Sequence, residues 1–166
     1  SATVAGADGT NSATQEITVS INDLDDLAPV ITSNSSFTAD ENQTSIGTVT
    51  ATDSDSDSIT FSISGSEISI NSSTGVLTFA SAPDYETKSS YSATVTATDG
   101  TNSATQDITV AINDINESPT ITSGASFTAD ENQTAIGTVT ATDIDSDSIT
   151  FSISGSEINI DSTTGV

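Results

Sequence analysis

The sequence predicts an all-β protein built from tandem antiparallel β-sandwiches. Three observations carry that prediction: apolar residues alternate with Ser and Thr in short runs, turn signals separate the runs, and the pattern returns after about 90 residues. In SITFSIS, Ile59, Phe61 and Ile63 alternate with polar residues; in YSATVTA, Tyr91, Ala93, Val95 and Ala97 do so; in DITVAIN, Ile108, Val110 and Ile112 do so. Period-two alternation rich in β-branched residues describes strands with one buried face. No segment holds a helical period.

The repeat sets the organisation. FTADENQTSIGTVTATDSDSDSITFSISGSEISINSSTGV begins at Phe37 and returns at Phe127, 90 residues on, with few changes. SATVAGADGTNSATQEITVSIND begins at Ser1 and returns at Ser92 as SATVTATDGTNSATQDITVAIND, 91 residues on. The one-residue difference lies in the linkers DLDDLAP and DINESP. The chain therefore divides into the tail of one repeat (1 to 28), one complete repeat (29 to 118) and the head of a third (119 to 166).

Within the complete repeat the alternation marks seven strands, around 30 to 39, 44 to 52, 58 to 64, 67 to 71, 75 to 80, 90 to 98 and 104 to 113. SGSE, NSSTG and DGTN mark turns between them. Seven short strands in about 90 residues suit an antiparallel sandwich of immunoglobulin-like size. Tyr91 fits either a tyrosine corner or an ordinary core position.

Composition narrows the function. The 166 residues hold 24 Asp and Glu, one basic residue (Lys88) and no His, for a formal charge of -23. Such a chain is a poor partner for nucleic acid or an anionic membrane, both of which need Lys and Arg to neutralise phosphates. The partner implied is a cation. With no Cys there is neither a disulfide nor a thiolate metal site, so a secreted chain of this kind needs another staple. No apolar run approaches the roughly 20 residues of a membrane-spanning helix. Residues 1 to 25 show no basic start followed by an apolar stretch, and there is no initiating Met, so the chain reads as a fragment or a processed piece of something longer.

The acids gather at strand ends: Asp40 and Glu41 in ADEN, Asp53, Asp55 and Asp57 in ATDSDSD, Asp84 and Glu86 in PDYE, Asp99 in ATDG, Asp114 and Glu117 in NDINESP. Two carboxylates about 4 Å apart repel by about 1 kcal/mol in bulk water and about 4 kcal/mol near a protein surface, so clusters of this kind call for a cation. Hard oxygen donors from several segments, with no nitrogen or sulfur donor, suit calcium rather than zinc or copper.

DEN near the first strand, DxD after the second, DYE, AxDG near the sixth and a DxN-acid-x-P linker, in that order, make the chain resemble the cadherin-like repeats of bacterial surface proteins. The resemblance implies a Greek-key sandwich with calcium between successive repeats. At the junction of repeats two and three it implies Glu41, Asp84 and Glu86 from the upper repeat. It adds Asp114, Asn116, Glu117 and the carbonyl of Ile115 from the linker, and Asp143 and Asp145 from the lower repeat. At the first junction it offers Asp23, Asp25, Asp26, Asp53, Asp55 and Asp99, without the DEN and DYE of repeat one. The pattern departs from the family at Ser118, where a second linker asparagine is expected.

Rival readings fall on the same residues. An EF-hand loop opening at Asp53 would need Gly at Ser58 and a bidentate Glu at Ser64. Glu16, Glu67, Asp107, Glu157 and Asp161 read as solvated surface. Catalysis would have to rest on carboxylates alone, and Asp84 and Glu86 are better explained as metal ligands, so the chain is not expected to be an enzyme. A carbohydrate-binding sandwich would need exposed aromatics, and five Phe and two Tyr barely furnish the cores.

The expectation is a calcium-rigidified structural or adhesive repeat of a secreted or cell-surface protein, a bacterial adhesin or an extracellular filament. Homophilic adhesion by the repeats is the alternative. Partners are neighbouring repeats or identical chains, with no nucleic acid and no membrane insertion in this segment. The two broken ends are nearly complementary, which fits either arbitrary limits within a long array or head-to-tail assembly by strand complementation.

Overall fold

The computed structural model describes residues 1–22 and 24–166. β1 (Ala2–Ala7) and β2 (Ser12–Ile17) form an antiparallel hairpin with Ala2 opposite Ile17 and Ala7 opposite Ser12. Its turn is built on Asp8, whose Oδ1 accepts the N–H groups of Thr10 at 2.9 Å and Asn11 at 2.7 Å. An aspartate closing its own turn in this way is why DGTN ends one strand and starts the next.

The complete repeat follows with β3 (Val30–Ile31), β4 (Ser36–Asp40), β5 (Ser45–Thr48), β6 (Ala51–Thr52), β7 (Thr60–Ile63), β8 (Ile68–Ile70), β9 (Val76–Phe79), β10 (Ser90–Thr98) and β11 (Ser103–Asn113). One sheet has the order β4-β11-β10-β7, with β4 and β11 parallel and the other pairs antiparallel. The second has the order β5-β9-β8, and β3 pairs with β6 beside it. Beyond the second linker, β12 (Thr120–Ile121) pairs with β13 (Ala141–Thr142) as β3 pairs with β6.

The expected strands at 30 to 39 and 44 to 52 are each two strands. The chain changes partners within them: Thr32 N–H bonds Thr50 O at 2.8 Å, and three residues later Ser35 O accepts the N–H of Thr109 at 2.9 Å. Between β5 and β6, Val49 N–H bonds Gly75 O at 2.9 Å. Gly75 holds φ +69, and a Cβ there would strike the Val49 carbonyl, so this close approach requires glycine.

Between the sheets Leu77, Val95, Ile108, Val110 and Val49 are fully buried, with Phe79, Ile68 and Ile112 beside them. Along β11 the inward residues Ile108, Val110 and Ile112 alternate with exposed ones, as the period-two pattern requires. Tyr91 is a packing tyrosine, its ring 4.9 Å from that of Phe79 and capped by Lys88 Nζ at 4.3 Å. Lys88 also pairs with Glu67 at 2.6 Å.

Residues 119–166 show what pairing contributes. FTAD and TFSI are strands at 37–40 and 60–63, yet the same words at 127–130 and 150–153 are not. In the complete repeat these segments pair with β11 and β10. Strand conformation here follows from a hydrogen-bonded neighbour and not from local propensity alone. Among the described residues no helix is long and apolar enough to cross a membrane.

Candidate metal centre

The ADEN segment splits its three polar side chains among three tasks. Asp40 Oδ1 accepts the Asn113 side-chain amide at 2.8 Å, across the β4–β11 edge. Glu41 turns inward and is 4% exposed. Its Oε2 accepts the N–H of Tyr85 at 2.9 Å and its Oε1 the N–H of Ile115 at 2.8 Å. Asn42 takes a left-handed conformation, φ 61, and its side-chain amide donates to Glu117 Oε1.

PDYE forms a tight turn, with Asp84 Oδ1 accepting the N–H of Thr87 at 3.0 Å and Asp84 O that of Lys88 at 2.9 Å. This turn sets Asp84 and Glu86 beside Glu41: carboxylate oxygens of Glu41, Asp84 and Glu86 lie within 4.8 Å of one another. Glu86 also joins Asp114 and Asp145 within the same spacing, and Asp143, Asp145 and Asp147 form a third group. Glu86 and Asp145 thus link upper repeat, linker and lower repeat.

The lower side is organised by Asp143, whose Oδ1 accepts the N–H groups of Asp145 at 3.1 Å and Asp147 at 3.2 Å. Asp145 Oδ2 in turn accepts the N–H of Glu117 at 2.6 Å. One carboxylate oxygen of Asp145 (Oδ1) and one of Glu117 (Oε2) are shielded from solvent with no hydrogen-bond partner. Shielded, unpaired anionic oxygens are costly, and they fit a hard cation coordinated by oxygens.

Desolvation and charge crowding hold three of these carboxyls above their ordinary range. Glu86 is raised above the ordinary glutamate range: a hydrogen bond to its own backbone N–H pulls it down, but partial desolvation and the charges of Glu41, Asp114 and Asp145 outweigh it. Asp114 is raised by desolvation and by Asp145 and Glu41. Glu117 is raised although the Asn42 amide lowers it, because desolvation, Glu41 and Asp145 act the other way.

The first junction repeats the lower half of this design. Asp53 Oδ1 accepts from the N–H groups of Asp55 at 2.9 Å and Asp57 at 3.3 Å, and Asp55 Oδ2 accepts from Leu27 at 3.0 Å and Asp26 at 3.2 Å. Asp25 accepts the Asn102 amide at 3.2 Å. Asp53 Oδ2 and Asp99 Oδ2 are shielded and unpaired. The first linker is one residue longer than the second, and the N–H groups of both Asp26 and Leu27 reach Asp55 Oδ2 where Glu117 alone reaches Asp145 Oδ2. Asp23 lies outside the described residues.

Of the residues expected at the second junction, Glu41, Asp84, Glu86, Asp114, Asp143 and Asp145 fall into the three carboxylate groups. Glu117 borders them through Asp145, Asn116 turns its amide to Glu117 O at 2.9 Å, and Ile115 is held through its N–H by Glu41. Asp147 and Asn42 were not in the expected set. Asp147 was signalled by the third aspartate of DxDxD, and Asn42 by its place in DEN.

The arrangement is that of a β-sandwich with carboxylates converging at one end, and the comparisons return the same fold class. Residues 35–113 match the family model described as Cadherin domain. Mouse cadherin-23 EC22-24 is similar at 25% identity and TM-score 0.57, covering 95% of this chain and 59% of that one. Human protocadherin-24 EC1-2 is similar at 24% identity and TM-score 0.55, covering 70% and 60%. Protocadherin gamma B2 extracellular cadherin domains 1-5 are similar at 30% identity and TM-score 0.55, covering 64% and 24%. The chain spans less than two thirds of each of these structures. No curated protein matches it. The complete repeat is thus a cadherin-like β-sandwich.

Proposed function

We propose that the chain is a calcium-rigidified structural repeat segment of an extracellular or cell-surface protein, made of units 1–28, 29–118 and 119–166, and that copies join head to tail. One observation carries the calcium reading: Glu86 lies within ligand spacing of Glu41 and Asp84 from its own unit and of Asp114 and Asp145 from the linker and the next unit. A group of acids drawn from three segments holds those segments together only when its charge is balanced.

Calcium would supply that charge and accept six to eight oxygens. Glu41, Asp84 and Glu86 would hold it from above, Asp114, Asn116, Glu117 and the Ile115 carbonyl from the linker, and Asp143 and Asp145 from below. The first junction would draw on Asp25, Asp26, Asp53, Asp55 and Asp99. Glu41 fixes the linker to the upper unit, and Asp145 fixes it to the lower one through Glu117 N–H. Both contacts shorten the linker's range of motion before any ion arrives. Extracellular calcium modules bind at about 0.1 to 1 mM. The test is a calorimetric calcium titration of the chain and of Glu86→Gln: binding in that range, weakened about tenfold or more by the substitution, supports the reading. Absence of a binding heat in the unaltered chain overturns it.

A further inference from the structure

Two turns of identical wording differ in one set of hydrogen bonds. DGTNSATQ begins at Asp8, directly after β1, and again at Asp99, directly after β10. In both, the aspartate closes the turn: Asp8 Oδ1 accepts the N–H groups of Thr10 at 2.9 Å and Asn11 at 2.7 Å, and Asp99 Oδ1 accepts those of Thr101 at 2.7 Å and Asn102 at 2.6 Å. In both, the next residue is a glycine at positive φ, +93 for Gly9 and +111 for Gly100. The preceding residue differs. Thr98 Oγ1 accepts the N–H of Gly100 at 3.1 Å and donates to Asn102 O at 2.7 Å. Ala7 stands in its place before Asp8 and has no hydroxyl to offer.

Aspartate followed by glycine is a reactive pair, because glycine carries no side chain to hinder attack by its own backbone nitrogen on the aspartate carboxyl. That nitrogen bonds to Cγ, one carboxyl oxygen leaves as water, and a five-membered succinimide forms. Water then reopens the ring. Addition at the side-chain carbonyl restores aspartate, and addition at the main-chain carbonyl leaves isoaspartate, with the chain running on through Cγ. No further reactant is needed. We propose that the Thr98 hydroxyl guards Asp99–Gly100 against this rearrangement, and that Asp8–Gly9, which lacks the guard, is the site where isoaspartate accumulates. Ring closure requires the glycine nitrogen to turn toward Cγ and give up its proton. At Gly100 that N–H is held by Thr98 while the Asp99 carboxylate is held by Thr101 and Asn102, so both reacting groups are engaged elsewhere. At the first turn the carboxylate is held in the same way, and the guarding hydroxyl is missing. Every bond compared lies within residues 7–11 or 98–102, so the contrast belongs to the turns themselves and not to what flanks them.

The guard matters at Asp99 because the same turn touches the first linker: Asn102 donates its side-chain amide to Asp25 Oδ1 at 3.2 Å. Isoaspartate at 99 would add a main-chain carbon to the turn and take the carboxylate off the N–H groups of Thr101 and Asn102. The Asn102–Asp25 contact would loosen with it. None of this depends on calcium or on assembly of copies.

The test is ageing of the full chain in warm neutral buffer with chelator. Cleavage at Lys88, the one basic residue, places the two Asp–Gly pairs on separate peptides, 1–88 and 89–166, in which fragmentation mass spectrometry locates isoaspartate. The expected result is isoaspartate forming at Asp8 about two- to tenfold faster than at Asp99, the factor that one net hydrogen bond supplies. Thr98→Val, which keeps the branched shape and loses the hydroxyl, should raise the rate at Asp99 by that factor, and Thr98→Ser should keep it low. In urea, where the turns are lost, the two rates should converge, because both run DGTNSATQ from the aspartate on. Equal rates at the two sites in the folded chain overturn the proposal, and so does a rate at Asp99 that Thr98→Val leaves unchanged. A rate in Thr98→Ser as high as in Thr98→Val would show that the fit of the side chain and not its hydroxyl protects the turn. A difference persisting in urea would trace it to the local sequence and not to the turn, and either of these outcomes also overturns the proposal.

Discussion

Glu41 accepts the backbone N–H of Ile115 at 2.8 Å, which ties the end of β4 to the linker that leaves β11. Its other oxygen holds Tyr85 N–H at 2.9 Å, so one buried carboxylate fixes three segments before any metal is considered. A carboxylate 4% exposed and engaged by two backbone donors is an architectural part of the junction as well as an expected ligand.

Glu41→Ala should therefore destabilise the chain even in excess chelator. Two backbone donors lose their acceptor, at about 1–3 kcal/mol for each that stays buried. Thermal melting in chelator measures this, and an unchanged midpoint would remove Glu41 from its structural role.

The raised carboxylates give a pH dependence of definite sign. Glu86, Asp114 and Glu117 lie above their ordinary values in the folded chain. In chelator their contribution to stability is fully present below the unfolded-state values and is lost as pH rises through the folded-state ones. The melting midpoint of the unaltered chain, relative to a Glu86→Gln, Asp114→Asn variant, should fall as pH rises through and just above the carboxylate range. In calcium the order reverses, because the ligands must be deprotonated to bind.

Core substitutions should follow packing. Leu77→Ala removes a fully buried side chain and should cost about 2–5 kcal/mol. Gly75→Ala forces a Cβ onto the Val49 carbonyl at positive φ and should cost at least about 1–3 kcal/mol, the cost of strained backbone alone. Denaturant unfolding reads both.

Lys88→Met should do little. Lys88 and Glu67 side chains are 42% and 57% exposed, and exposed pairs contribute about 0–1 kcal/mol. A loss of several kcal/mol on denaturant unfolding would show that the contact with Tyr91 matters more than the geometry suggests.

Much of this was legible in the sequence. Alternation at Ile108, Val110 and Ile112 marked β11 and its buried face, and the repeat from Phe37 to Phe127 showed that one sandwich design recurs. The residues that form the carboxylate groups were found from strand-end position and family resemblance, except Asp147. What could not be read were partner changes. Residues 30 to 39 look like one strand because alternation does not record the neighbour, and the switch from Thr50 to Thr109 is set by tertiary contacts. Nor does alternation say that 127–130 pair with no strand among the described residues while the same residues at 37–40 pair with β11. The role of Asn42 depends on a left-handed turn that DEN alone does not reveal.

The most direct measurement is thermal unfolding of the unaltered chain and of Glu86→Gln, Asp145→Asn in millimolar calcium and in excess chelator. Calcium at ten to a hundred times a dissociation constant adds about 1.4–2.7 kcal/mol per site. For a domain of this size that corresponds to a rise of about 5–20 °C. That rise in the unaltered chain and its loss in the double variant would establish the junction acids as calcium ligands. Equal midpoints in calcium and chelator would show them to be a solvated surface and contradict the calcium-stiffened junction.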